Sequence, residues 1–248
     1  MTTETYTADI LANLNLVKQR IQSAVKMAGR STEDVQLLLA TKTVSAEKVK
    51  VVIDAGETLI GENKVQELKE KDYLLGTLPI QRHFIGHLQT NKIKDVLKYA
   101  HCIQSVDRPD LVEKLDSRLQ YENRFLDIFV QVNTSFEESK FGVHPDEAIR
   151  LIEKIRSYGT MRIKGLMTIG LFDADPEKVK PSFRLLREIR DAALRDGLLS
   201  KDGAALSMGM SGDLETAIAE GATIVRVGTS IFGKRQYPDA YYWNEKGN

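Results

Sequence analysis

The chain has 248 residues, with 35 Lys+Arg against 35 Asp+Glu and so no net formal charge, which argues against a nucleic-acid-binding stripe or a polybasic membrane anchor. The start Met1-Thr2-Thr3-Glu4-Thr5-Tyr6 lacks the basic and apolar regions of a secretory leader, and no apolar run approaches a membrane span. The single cysteine, Cys102, cannot close an internal disulfide and fits a reducing cytoplasm.

An amphipathic helix is predicted over 9–28, where Ile10, Leu14, Val17, Ile21 and Val25 recur at helical spacing. From about Val35 onward, short apolar runs alternate with amphipathic stretches. Strands are predicted at 35–41, 58–61, 82–86, 102–106, 126–133, 162–169, 204–207 and 223–227. Helices are predicted between them, at 45–55, 63–75, 90–99, 108–122, 145–157, 176–196 and 212–220. This alternation calls for parallel strand–helix–strand units, and about eight of them in a chain this long fit a single (β/α)8 barrel. A doubly wound open sheet is the competing architecture, but no Gly-x-Gly-x-x-Gly follows the first strand. The expected organisation is an N-terminal helix on the barrel (1–34), the barrel (35–233) and a tail (234–248). The tail carries Tyr241, Tyr242 and Trp243, either as a loose end or packed on the barrel floor.

Lys42 closes the run Leu37-Leu38-Leu39-Ala40-Thr41-Lys42, sharing a face with Leu38 and Ala40 by alternation. The strand is apolar on both faces, as in a sheet covered on both sides. An amine held there is partly desolvated and able to attack a carbonyl, whereas the bland alternative is a lysine that snorkels into solvent. After the second strand, Asn63 either hydrogen-bonds a ligand or caps the next helix. After the third, Ile85 or His87 is placed to lie against a flat ring. Cys102 falls inside the fourth strand, where packing outweighs chemistry, and the four histidines show no metal-ligand spacing.

Two later turns carry the anion chemistry. Ser211, Gly212 and Asp213 stand at a helix mouth after the seventh strand, and Gly228-Thr229-Ser230 follows the eighth. Together they can grip one phosphate, a use that barrels commonly make of these two strand ends. Arg226 shares a face with Gly228 and serves either a ligand or an ion pair with a core carboxylate. The first strand neighbours the eighth once a barrel closes, so Lys42 and both turns converge on one rim.

At these residues the chain resembles the pyridoxal-phosphate homeostasis protein family, once called the proline synthetase co-transcribed homologues. The likeness is carried by Ala-Thr-Lys-Thr at 40–43, Gly-Glu-Asn-Lys-Val-Gln-Glu at 61–67 and His-Phe-Ile-Gly-His-Leu-Gln-Thr-Asn-Lys at 83–92. It continues through 132–142, Gly-Leu-Met-Thr-Ile at 165–169, Leu-Ser-Met-Gly-Met-Ser at 206–211 and Val-Arg-Val-Gly-Thr-Ser-Ile-Phe-Gly at 225–233. Ala40-Thr41 stands where many relatives carry Val-Ser.

The resemblance implies the fold-type III barrel of the alanine racemases and pyridoxal 5'-phosphate as cofactor. It makes Lys42 the aldimine (Schiff-base) lysine, has Ser211, Gly212, Gly228 and Thr229 hold the phosphate, and turns Arg226 toward the pyridine nitrogen. It further implies a cytoplasmic, monomeric cofactor carrier in vitamin B6 homeostasis rather than an enzyme, with pyridoxal-phosphate-dependent apoenzymes as partners. An amino-acid racemase or decarboxylase using the same cofactor is the alternative, and an aldolase-like barrel with a Schiff-base lysine is a third.

Overall fold

Stretches such as Gln36-Leu-Leu-Leu-Ala40 are apolar on both faces and suit a parallel sheet with cover on each side. In the computed structural model, which describes residues 3–233 and side chains from Tyr6 onward, eight such strands close into a parallel barrel in sequential order. They are β1 (Gln36–Ala40), β2 (Leu59–Glu62), β3 (Gln81–Phe84), β4 (Cys102–Val106), β5 (Leu126–Gln131), β6 (Met161–Met167), β7 (Ala205–Ser207) and β8 (Ile224–Val227). Closure is made by β1 against β8, from Gln36 opposite Ile224 to Leu39 opposite Val227.

The helices are α1 (Thr3–Met27), α2 (Ala46–Asp54), α3 (Val65–Leu75), α4 (Ile93–Val96), α5 (Pro109–Glu122), α6 (Ala148–Arg156), α7 (Pro176–Arg195), α8 (Leu214–Ala219) and α9 (Thr229–Phe232). Strand alternation sorts the core into two layers. Leu38, Cys102, Phe129, Met167 and Ile224 fill the barrel interior. Leu39, Ile60, Phe84, Ile103, Ile128 and Val225 face outward into the larger layer beneath the helices.

The predicted elements are all present, with instructive differences at their ends. β1 stops at Ala40, so Lys42 stands in the turn beyond the strand rather than closing it. The helix expected over 90–99 is a 3-10 turn, Thr90–Lys92, followed by the single turn α4. The one expected over 145–157 likewise begins as a 3-10 turn, Pro145–Glu147, with Pro145 at its first position, where a missing N–H costs nothing. α1 begins six residues before its predicted start, because Tyr6 adds another packed position ahead of Ile10. α9 is too short for a helical period to show in sequence. The tail residues Tyr241, Tyr242 and Trp243 lie outside the described residues. No described helix is long and apolar enough to cross a membrane.

α1 ties the last two strand–helix units together. It buries Ile10, Leu14, Val17 and Ile21 and lies against α2, α8 and α9. Its Arg20 donates to both carboxylate oxygens of Glu215 at 2.7 and 2.9 Å and to the Ser211 carbonyl at 3.1 Å. Asn13 donates to the Ile231 carbonyl at 3.2 Å, and beyond the helix Arg30 donates to the carbonyls of Ile218 and Ala222. Leu14→Ala, a large-to-small change at a buried position, is expected to cost about 2–5 kcal/mol. Urea unfolding checks it, through a lower midpoint at an unchanged slope.

Candidate functional site

The rim at the carboxyl ends of the strands begins with a tight turn. Val44 N–H donates to the Thr41 carbonyl at 3.0 Å, which makes Lys42 and Thr43 the two central residues. Thr43 has φ of +64°, in the left-handed region. A β-branched residue there costs about 1–3 kcal/mol and persists only where its surroundings hold it. Lys42 is 8% exposed, so its amine is presented from a largely desolvated position.

Behind this turn, on the helix-facing side, lies a buried charged group. Lys71 of α3 donates from Nζ to the Thr41 carbonyl at 2.8 Å, to Glu62 Oε1 at 2.6 Å and to Glu67 Oε2 at 2.9 Å. Glu67 Oε2 also accepts from Thr43 N–H at 2.6 Å, and Glu62 Oε1 accepts from the Thr41 hydroxyl at 2.5 Å. One ammonium thus faces two carboxyl groups. Glu62 is 1% exposed, and its Oε2 has no hydrogen-bond partner. Burial pushes its carboxyl up to about 8, against the pull of Lys71 and with the help of the neighbouring Glu67 charge.

The seam with β8 brings the two anion turns to the same rim. A Cβ on Gly228 would meet the Ala40 carbonyl oxygen at 2.6 Å, so the last residue of β1 and the β8 turn are in direct contact. Ser230 N–H donates to the Ser211 hydroxyl at 3.3 Å, joining this turn to the one after β7. Asp213 precedes α8 and accepts from Met210 N–H at 2.5 Å, closing the Ser211-Gly212 loop. Gly212 and Thr229 are exposed, while Ser211 and Gly228 are half-buried. No atom lies within 4 Å of the place a Cβ on Gly212 would take, so packing does not demand glycine there. A ligand oxygen approaching the backbone would.

Arg226 is 5% exposed and anchored inside the barrel. It donates to the Ser207 hydroxyl at 2.9 Å and to the Thr168 carbonyl at 2.7 Å. Ser207 in turn donates to Gln104 Oε1 at 2.6 Å, and Gln104 Nε2 lies 2.7 Å from His83 Nδ1. A guanidinium can only donate, and this sets the direction of the whole chain. His83 Nδ1 is left as an acceptor, with the ring proton on Nε2. Burial drives His83 down to about 4 and Arg226 down to about 10, so near neutral pH the histidine is uncharged and the arginine is charged. Asp213 acts on Arg226 electrostatically rather than as a contact ion pair. The predicted alternative of a direct core ion pair is therefore not what holds it.

Asn63 is buried and its Oδ1 has no hydrogen-bond partner, while α3 is preceded by Lys64 without a side-chain cap. Of its two expected roles, helix capping is thereby excluded. Ile85 packs against the inner cluster at the mouth. A Cβ on Gly86 would fall 2.1 Å from the Asn63 carbonyl oxygen, which draws the loops after β2 and β3 together. His87 is stacked on Phe141, with ring centres 3.8 Å apart, so one of its faces is already covered. Its Nδ1 stands 3.8 Å from Asp107, and burial lowers its pKa. Cys102 is buried in the barrel interior, where burial raises its thiol.

Sequence reading passed over Glu62, Glu67, Lys71, His83, Gln104 and Ser207 as members of the site. Two signals were available: an acidic residue on the helix-facing side at the end of β2, and the Glu67/Lys71 pair one helical turn apart. The rim thus gathers a largely buried amine, two hydroxyl-bearing turns suited to an anion, a buried cation and an orphaned amide oxygen that can accept a hydrogen bond.

Comparison with known proteins points the same way. Residues 9–236 match the family described as alanine racemase, N-terminal domain. The chain is 42% identical to the pyridoxal phosphate homeostasis protein of Aquifex aeolicus over 224 residues, covering 90% of this chain and 97% of that one. Among solved structures, an unknown protein from Bifidobacterium adolescentis superposes with a TM-score of 0.88 at 40% identity, covering 94% of this chain and 98% of that one. PipY of Synechococcus elongatus with PLP bound superposes with a TM-score of 0.75 at 30% identity, covering 88% and 100%.

Glu62 makes stability depend on pH. Its folded pKa lies above the unfolded value, so the folded state keeps the proton longer and loses stability as pH rises from about 4.5 through about 8. Glu62→Gln keeps the acceptor for Thr41 and Lys71 but cannot ionise. Thermal unfolding from pH 5 to 9 is expected to show a smaller alkaline loss in Glu62→Gln than in the parent chain.

Proposed function

The chain belongs to the pyridoxal phosphate homeostasis protein family, and on that premise we propose that it binds pyridoxal 5'-phosphate at the barrel mouth and holds it covalently through Lys42, without substantial turnover of amino acids. The observation that carries this reading is the pairing of a buried lysine on a held turn with two hydroxyl-rich turns on the same rim. When bound, this cofactor supplies an aldehyde that condenses with a primary amine and a ring that draws electrons from the attached carbon.

The chain's own groups divide the work. Lys42 offers the amine. Ser211, Gly212, Gly228 and Thr229 bind the phosphate through backbone N–H groups and hydroxyls, each charge-assisted hydrogen bond contributing about 1.5–3 kcal/mol. Arg226, pinned by Ser207 and Thr168, would face the pyridine nitrogen as a donor, and it keeps its own proton near neutral pH. Asn63, whose buried Oδ1 has no partner, would hydrogen-bond the cofactor, and Ile85 or the open face of His87 would lie against its ring.

Low turnover follows from the same groups. An arginine that keeps its proton leaves the ring nitrogen a weaker electron sink than a carboxylate partner would. Lys42 serves one face of a substrate carbon, and Cys102, with its thiol raised by burial, lies below in the barrel packing. The protein is read as a cytoplasmic monomer that holds the cofactor for apoenzymes requiring it, and sedimentation at micromolar concentration is expected to give one 27.9 kDa species.

Borohydride reduction followed by peptide mapping is expected to place the pyridoxyl mass on the peptide containing Lys42; its appearance on Lys64 or Lys92 overturns the assignment. Gly212→Val is expected to leave the fold intact and to weaken retention of pyridoxal phosphate by about tenfold or more, with little effect on pyridoxal. Gly228 is the poorer probe, because any side chain there strikes the Ala40 carbonyl. Incubation with alanine, lysine and ornithine enantiomers in deuterated water is expected to show negligible α-proton exchange by NMR. Rapid exchange that disappears in Lys42→Ala assigns the protein to the racemases or decarboxylases instead.

A further inference from the structure

We propose that Lys71, acting with Glu67 and Glu62, is a positioning group for Lys42: it clamps the two peptide units that flank the lysine and so holds the strained turn that presents the amine. This rests on the reading of Lys42 as the residue that takes the cofactor. Thr41 C=O belongs to the peptide before Lys42 and accepts from Lys71 Nζ at 2.8 Å. Thr43 N–H belongs to the peptide after it and donates to Glu67 Oε2 at 2.6 Å. Lys71 and Glu67 are themselves paired at 2.9 Å, which closes a ring around the turn. Glu62 fixes the Thr41 hydroxyl and the third bond of the ammonium.

A buried ion pair placed only for stability gains little over apolar packing. Here all three ammonium hydrogens are committed, one of them to the backbone beside Lys42, and the partner carboxylate holds the backbone on the other side. Thr43 has φ of +64°, a conformation that a β-branched residue leaves unless it is held. Strain of this kind corresponds to about tenfold or more in an equilibrium. Without the clamp, Thr43 returns to a negative φ, the peptide rotates and the Lys42 amine swings away from the anion turns. Glycine adopts positive φ freely, so a glycine at 43 removes the need for the clamp.

The test uses the full chain freed of cofactor. It is mixed with pyridoxal phosphate, reduced with borohydride at timed intervals and mapped for the pyridoxyl mass at Lys42, with circular dichroism as the check on folding. Lys71→Met is expected to slow labelling by about tenfold or more while remaining folded, and Thr43→Gly to label near the parent rate. The double variant Lys71→Met/Thr43→Gly is expected to recover most of the rate. A merely structural lysine predicts no such recovery. Parent-like labelling in folded Lys71→Met, or a slow rate that Thr43→Gly does not restore, overturns the proposal. If Lys71→Met does not fold, Glu67→Ala replaces it, with the same expected loss and the same glycine rescue. If the parent chain carries no label at Lys42, the reading of the site fails. The clamp is then judged by amide exchange of Thr43 and Val44, which must rise about tenfold on loss of Lys71, and unchanged exchange overturns it.

Discussion

Four residues of β1 pair in register with four of β8, from Gln36 opposite Ile224 to Leu39 opposite Val227, and every feature of the rim depends on that seam. It brings Ala40 against Gly228 so closely that only a glycine fits, and it sets Arg226 level with Leu38. The helix that precedes the barrel guards the same seam. α1 lies across α8 and α9, and its Arg20 reaches the Ser211 carbonyl. The first and last thirds of the chain, far apart in sequence, thus build one wall of the site.

The barrel interior is divided between apolar packing and a directed polar chain. Leu38, Phe129 and Met167 fill the interior by size, whereas His83, Gln104, Ser207 and Arg226 cross it by hydrogen bonding. Such a chain is costly unless its members are partnered, and here each has at least one hydrogen-bond partner. Its outcome is a charged guanidinium held rigidly beneath the mouth by neutral partners. Among the described residues no carboxylate touches it, and Asp213 acts on it only at a distance.

Backbone strain lies next to Lys42 in sequence, and two orphaned polar atoms lie at the same rim. Thr43 has a backbone conformation that suits glycine, Asn63 buries an unpaired amide oxygen and Glu62 buries a carboxyl oxygen without a partner. Each is unfavourable for stability, and each is of the kind that is found at functional sites.

Much of this was legible in the chain itself. Alternating short apolar runs and amphipathic stretches suffice for eight strand–helix units, because burial on both faces of a parallel sheet leaves a strong imprint on residue type. Lys42, Asn63, Ser211, Gly212 and Thr229 stand out in the sequence as polar or glycine residues at strand ends, and the structure places them at the carboxyl-end rim; Gly228 stands out in the same way, but the close approach of the Ala40 carbonyl is itself a packing reason for it. For Lys71 the sequence offers only its helical pairing with Glu67, and for Gln104 nothing. Lys71 reads as one more charge on an amphipathic helix, and Gln104 as an exception within a buried strand. Their partners, Thr41 and Ser207, lie 30 and 103 residues away in the chain. Local pattern records whether a side chain is buried, but not which distant group it meets. That was decided only when the barrel closed and α3 settled behind the end of β1.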